Sequence, residues 1–165
     1  MPPKPGHRLD LYIVPNEWRE LPPGGALLQD LGAGIRSRDV TVRDPVQRLN
    51  DLGGALFVRV DAPERAALYA NRQGGFRVFC TACGANAVPA FQGALSAWRA
   101  SGAGDAICPE CGAHHAIDGW HTTPAIAFGR GALVLVDVQK ATISESAHQV
   151  LESLLGTFSI VGSRR

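Results

Sequence analysis

Two short stretches decide how this chain is read: Phe79-Cys80-Thr81-Ala82-Cys83-Gly84 and Ile107-Cys108-Pro109-Glu110-Cys111-Gly112. They hold all four cysteines of a 165-residue chain. Each places two residues between its thiols and a glycine directly after the second. Two intervening residues let both sulfurs of a pair converge on one metal ion, about 2.3 Å away for zinc. The glycine permits a tight turn whose backbone N–H groups point at sulfur and stabilise thiolate charge. Two pairs supply four corners of a tetrahedron and leave no position for water or substrate, which is the signature of a structural site. The alternative use of four cysteines is two disulfides, and a reducing compartment disfavours it.

Working outward, residues between the pairs carry Val88, Phe91, Leu95 and Trp98 at helical spacing, so a helix is expected over about 89–100, ended by Ser101-Gly-Ala-Gly. After Cys111, Asp118-Gly119 between Ala116-Ile117 and Trp120-His121 predicts a hairpin. The expected module therefore spans 78–122. On its N-terminal side, strands are expected at 9–14, 40–43, 55–60 and 76–79. Short helices are expected at 26–31, from Asp44-Pro45 to Leu52, and over 62–71 with Asp61 as cap and Glu64 three residues on. On its C-terminal side, 125–128 and 132–138 read as strands. Thr142 with Glu145 reads as a capping box opening a helix from Ile143 to Leu155, which Gly156 stops, and Phe158–Val161 as a last strand. The expected fold class is α+β: one domain over 1–165 with a mixed sheet, helices mainly on one side, and the four-cysteine module inserted between strands.

The paired motifs resemble the knuckles of zinc-ribbon and rubredoxin-like proteins. The resemblance covers about a quarter of the chain. It implies metal binding by Cys80, Cys83, Cys108 and Cys111, and little about activity. The chain departs from a minimal ribbon in placing a helix between the pairs. It also lacks the aromatic-rich, strongly acidic body of an electron-carrying rubredoxin. One Zn²⁺ per chain is expected, with iron as the ion an overexpressing host can load instead.

Charge narrows the partners. Residues 80–129 carry one basic residue, Arg99, against Asp105, Glu110 and Asp118. Zn²⁺ on four thiolates would add a formal −2, so the module repels phosphates and nucleic acid is disfavoured. No stretch approaches the roughly 18 apolar residues of a membrane helix. The N-terminus lacks the apolar core of a signal peptide, so a cytoplasmic protein is expected. Lys occurs only at Lys4 and Lys140 among many arginines, alanines and glycines, a composition of GC-rich bacterial genomes.

Other groups are candidates for chemistry. His114 and His121 would share a face of the expected hairpin, with His115 and Asp118 nearby, as a second metal or acid–base site; solvated hairpin histidines are the simpler reading. Asp61 and Asp137 each follow an expected strand, where α/β enzymes host ligands, but Asp61 is more simply a helix cap and Asp137 a loop residue. His148 falls on a helix with no evident partner. Gly32-Ala-Gly34 lacks the remainder of any phosphate-binding fingerprint. Trp18, in a stiff loop with Arg19, Pro22 and Pro23, has the character of an interface anchor or of a side chain folded back on the core. The four cysteines are consumed by the metal and leave no nucleophilic thiol. The expected function is therefore a zinc-containing, non-enzymatic interaction factor with a protein partner: an adaptor, an inhibitor or an immunity-type factor. The alternatives are a nucleic-acid-associated ribbon protein and an enzyme built from dispersed Asp and His residues.

Overall fold

The structure, a computed structural model, describes residues 8–17, 21, 26–31 and 50–165. The expected strand at 40–43, most of the helix from Asp44, Gly32–Gly34 and Trp18 lie outside the described residues. The chain falls into two compact units, residues 1–74 with 127–165, and residues 75–126. The interval 78–122 falls within the second of these.

The first unit is built on a four-stranded sheet. Its strands are β1 (Leu9–Pro15), β2 (Phe57–Asp61), β9 (Ala132–Val136) and β10 (Phe158–Arg164), in the order β10-β1-β9-β2. Every pair is antiparallel, in place of the expected mixed sheet. β9 and β10 run parallel to each other but do not touch, because β1 lies between them. The intervening helix, α2 (Glu145–Leu155), thus closes a strand–helix–strand unit around the N-terminal strand.

Alternation along the strands sorts side chains onto two faces. Leu11, Ile13, Leu133 and Leu135 bury one face against Leu27 and Leu31 of the helical segment 26–31 and against Ala147, Val150, Leu151 and Leu155 of α2. The described helices of this unit therefore sit on one face. The opposite face carries Tyr12, Val14, Val134, Val136 and Val161, packed with Tyr69. Two short strands, β3 (Ala67–Tyr69) and β8 (Ala127–Gly129), pair with each other in this unit. A Cβ on Gly129 would stand 2.6 Å from Val14, so only glycine allows β8 so close to β1.

The helix expected over 62–71 does not form. Its expected cap, the Asp61 carboxylate, instead accepts a 2.8 Å hydrogen bond from the Tyr69 hydroxyl. Residues 67–69 take their backbone partners from β8. The cap of α2 also moves: the Ser144 hydroxyl, not Thr142, accepts from the Ala147 N–H at 3.1 Å. Between Asp44 and Leu52 the described part, Asn50–Leu52, is a 3-10 turn. Asp137 has φ 54°, a left-handed conformation that Asp tolerates better than most residues. Its N–H donates to the buried Asp10 carboxylate at 2.9 Å, and Arg165 grips the same carboxylate at 2.7 and 3.1 Å.

The second unit holds β4 (Arg77–Phe79), α1 (Val88–Ser101), β5 (Ala106–Ile107), β6 (His114–His115) and β7 (His121–Thr123). Helix α1 starts with Pro89 in its first turn and the Asn86 side chain accepting from the Val88 N–H. It stops at Gly102, φ 79°, whose N–H donates to the Trp98 carbonyl. Phe91, Ala94 and Trp98 are its buried face, and Phe76 meets Phe91 edge-on at 5.7 Å. β4 pairs with β7 and β5 with β6. Asp118-Gly119 does make a turn, with the Gly119 N–H donating to the Ala116 carbonyl at 2.9 Å. The segments flanking it do not pair with each other but join these separate ribbons. Among the described residues, no helix is long and apolar enough to cross a membrane.

Candidate metal centre

Two ribbon ends present the cysteines. β4 runs into Cys80, whose N–H donates to the Ala85 carbonyl at 2.9 Å, and the Gly84 N–H returns to the Cys80 carbonyl at 2.8 Å. β5 runs into Cys108, and the same pair of bonds recurs, Cys108 N–H to Ala113 at 2.8 Å and Gly112 N–H to Cys108 at 2.9 Å. Gly84 and Gly112 both have φ 73°. A Cβ at either would meet nothing within 4 Å. The glycine requirement is therefore one of backbone conformation and not of space. Cys80 and Cys108 continue their strands inward and are buried, while Cys83 and Cys111 sit on the outer side of the turns and are exposed.

The four sulfurs lie within 4.8 Å of one another. Contacts cross between the knuckles, Cys80 to Cys111 at 3.7 Å and Cys83 to Cys108 at 3.8 Å. A disulfide needs about 2.05 Å. A tetrahedron of sulfurs each about 2.3 Å from a central ion has edges of about 3.8 Å. The observed separations match the second geometry, so the four cysteines are close enough together to bind one metal ion.

Electrostatics agree. Burial opposes ionisation of Cys80, but the Cys83 backbone N–H, the His115 ring and the Ala82 N–H outweigh it and draw the thiol down to about 6. At Cys83 the Ala85 N–H favours the thiolate, yet desolvation and the thiols of Cys111, Cys108 and Cys80 push it up to about 12. Cys111 is raised as well, desolvation and the Cys80 and Cys108 thiols overcoming the Ala113 N–H. One thiolate forms readily and the next resist it. A divalent cation among them removes that repulsion.

His115, weighed in the sequence only as a neighbour of a second histidine site, instead adjoins the cysteine cluster. It is buried, and its Nε2 stands 3.1 Å from the Cys80 sulfur. Its Nδ1 faces the Thr81 hydroxyl at 3.5 Å, and its ring lies 4.4 Å from that of Trp120. An Nε2–H aimed at a ligand sulfur orients it and spreads its charge. The signal available was alternation: of His114 and His115 in a two-residue strand, only one can face inward. His114 pairs with Ile107, and His121 pairs with Phe79 and lies against its ring at 6.3 Å. The shared face expected for His114 and His121 is thus absent, because their strands have different partners.

The remaining candidates are engaged locally. Asp61 is held by Tyr69, and Asp137 is a turn residue bonded to Asp10. His148 lies 3.8 Å from Glu152 and packs on Phe158 at 4.7 Å. Among the described residues, only the four cysteines form a metal-ligating group of three or more. No protein-family model, curated protein or solved structure matches the chain.

Proposed function

We propose that the chain carries one structural Zn²⁺ on Cys80, Cys83, Cys108 and Cys111, and acts as a cytosolic, non-enzymatic partner of another protein. One observation carries the metal half: four sulfurs at tetrahedral edge distances, each knuckle closed by its own backbone hydrogen bonds. Four thiolate donors complete the coordination of zinc, and a completed shell has no position for a substrate. Zinc bound there would link the two ribbon ends and supply folding free energy to residues 75–126.

The interaction half is supported by apolar side chains left at the surface. Ile107, beside the second knuckle, is 58% exposed, and Leu56 and Phe57 are each about half exposed. The shortage of basic groups around the cysteines argues against a nucleic-acid partner. The test is elemental analysis of native protein, followed by pull-down from native lysate with and without nuclease. One zinc per chain and a discrete protein partner surviving nuclease support the reading. Absence of bound metal with free thiols refutes the first half, and recovery abolished by nuclease refutes the second.

A further inference from the structure

The first unit contains a cavity of about 200 Å³, enough for several waters or a small organic ligand. Its position follows from strand register. Tyr12, Val134 and Arg59 are paired in one row across β1, β9 and β2. They share a face, on which the Tyr12 phenol and the Arg59 guanidinium flank Val134, and both of the flanking residues line the cavity. Asp61, two residues beyond Arg59 on β2, points to the same face. Tyr69 comes over from β3, its ring 5.4 Å from that of Tyr12 and its hydroxyl on Asp61. Ala67 and Ala70 keep the wall thin.

The two tyrosines are buried, whereas the Arg59 and Arg72 side chains reach the surface. Tyr12 and Tyr69 are 6% and 5% exposed. Arg72 is fixed at its backbone, where its N–H donates to the buried Ser163 hydroxyl at 3.2 Å, and the neighbouring Asn71 side chain accepts from the Arg164 N–H at 3.0 Å. Burial, and then the hydrogen bond and charge of Asp61, hold the Tyr69 phenol well above its ordinary range, so it stays a donor to Asp61. Neither Arg59 nor Arg72 makes a salt bridge with any described residue, and the Tyr12 hydroxyl has no hydrogen bond among them. Two arginines against one carboxylate leave one positive charge in excess. A guanidinium fork matches carboxylate and phosphate oxygens, and a phenol adds a neutral donor.

We propose that this cavity binds the oxyanion group, carboxylate or phosphate, of a small ligand, held by Arg59 and Arg72 with the Tyr12 hydroxyl as a further donor. In this arrangement Tyr69 is a positioning residue: it holds Asp61 away from the guanidiniums that the carboxylate would otherwise neutralise. The site stands independently of the metal centre and of the interaction reading.

The test is a titration of the full-length protein with inorganic phosphate, acetate and benzoate, each followed by backbone amide shifts in NMR. Saturable shifts confined to the neighbourhood of Tyr12, Arg59, Tyr69 and Arg72 are expected for at least one probe. Saturation by phosphate alone identifies a phosphate site, and saturation by benzoate a carboxylate on a flat ring. Arg59→Ala with Arg72→Ala is expected to weaken binding by about tenfold or more with the melting temperature unchanged. Asp61→Asn is expected to tighten it several-fold, because a negative charge is removed while an acceptor for Tyr69 remains. An Asp61 that takes no part in the site's charge leaves the affinity unchanged, and that outcome counts against the proposal. Shifts that fail to saturate for all three probes, an unaffected arginine double variant, or weaker binding in Asp61→Asn would each overturn the proposal.

Discussion

At the scale of single residues, the four cysteines are unequal, and that inequality is testable. Cys80 and Cys108 are buried while Cys83 and Cys111 face solvent. In the metal-loaded protein, where exposure and not thiolate fraction separates them, an alkylating reagent should therefore meet Cys83 and Cys111 first. Protons compete with metal for all four. With Cys83 pushed up to about 12 and Cys80 drawn down to about 6, binding must displace protons across neutral pH. Affinity should rise with pH and collapse in acid below about 6, where Cys80 protonates too; metal release followed with a chromogenic chelator checks the sign. His115→Phe keeps a ring beside Trp120 but removes the Nε2 donor, and an outer partner of this kind typically contributes about 10- to 100-fold in affinity. Chelator competition should show a loss in that range, and an unchanged affinity would mean the 3.1 Å contact is incidental. Asp10, buried under a two-pronged Arg165, makes a second residue-scale case. Arg165→Ala leaves a carboxylate with one backbone donor and should cost about 2 kcal/mol in urea denaturation.

At the scale of elements, α2 depends on its cap and its apolar stripe. Ser144→Ala should cost about 1 kcal/mol, whereas Thr142→Ala should cost little. Leu151→Ala, at a fully buried site between helix and sheet, should cost about 2–5 kcal/mol. Most long elements were legible in the residues themselves: β1 from its alternation, α1 from Phe91 and Trp98, α2 from Val150, Leu151 and the Gly156 stop. The failures share one cause. Residues 62–71 carry helix-like local chemistry, but residues 67–69 pair with the distant 127–129, which brings Tyr69 onto Asp61, and nothing in the flanking residues announces that. The same holds for His114 and His121, adjacent across a good turn yet claimed by β5 and β4. The cysteine cluster was readable because the spacing within each pair is local. His115 was readable only in part, since its partner, Cys80, lies in another knuckle.

At the scale of the whole molecule, the two units should respond differently to metal removal. Residues 75–126 contain short strands of two or three residues and one helix, with the cysteine cluster joining two ribbon ends. Chelation, or Cys→Ser at any one ligand, should strip amide-exchange protection from 75–126. The sheet of the first unit, with its own large core, should retain most of its protection. Uniform loss across both units, or none in 75–126, would contradict this division.

The placement of β1 between β9 and β10 has a consequence for the order of synthesis. The first strand leaves the ribosome early, but both of its neighbours come from the last third of the chain. It stays unpaired, with Leu11, Ile13 and Val14 uncovered, at least until β9 has been made. The cysteine unit, continuous from 75 to 126, is finished before either neighbour of β1 has been made. All four cysteines are therefore made while the opening strand is still waiting for company, and shielding of that strand by a chaperone matters most during this interval.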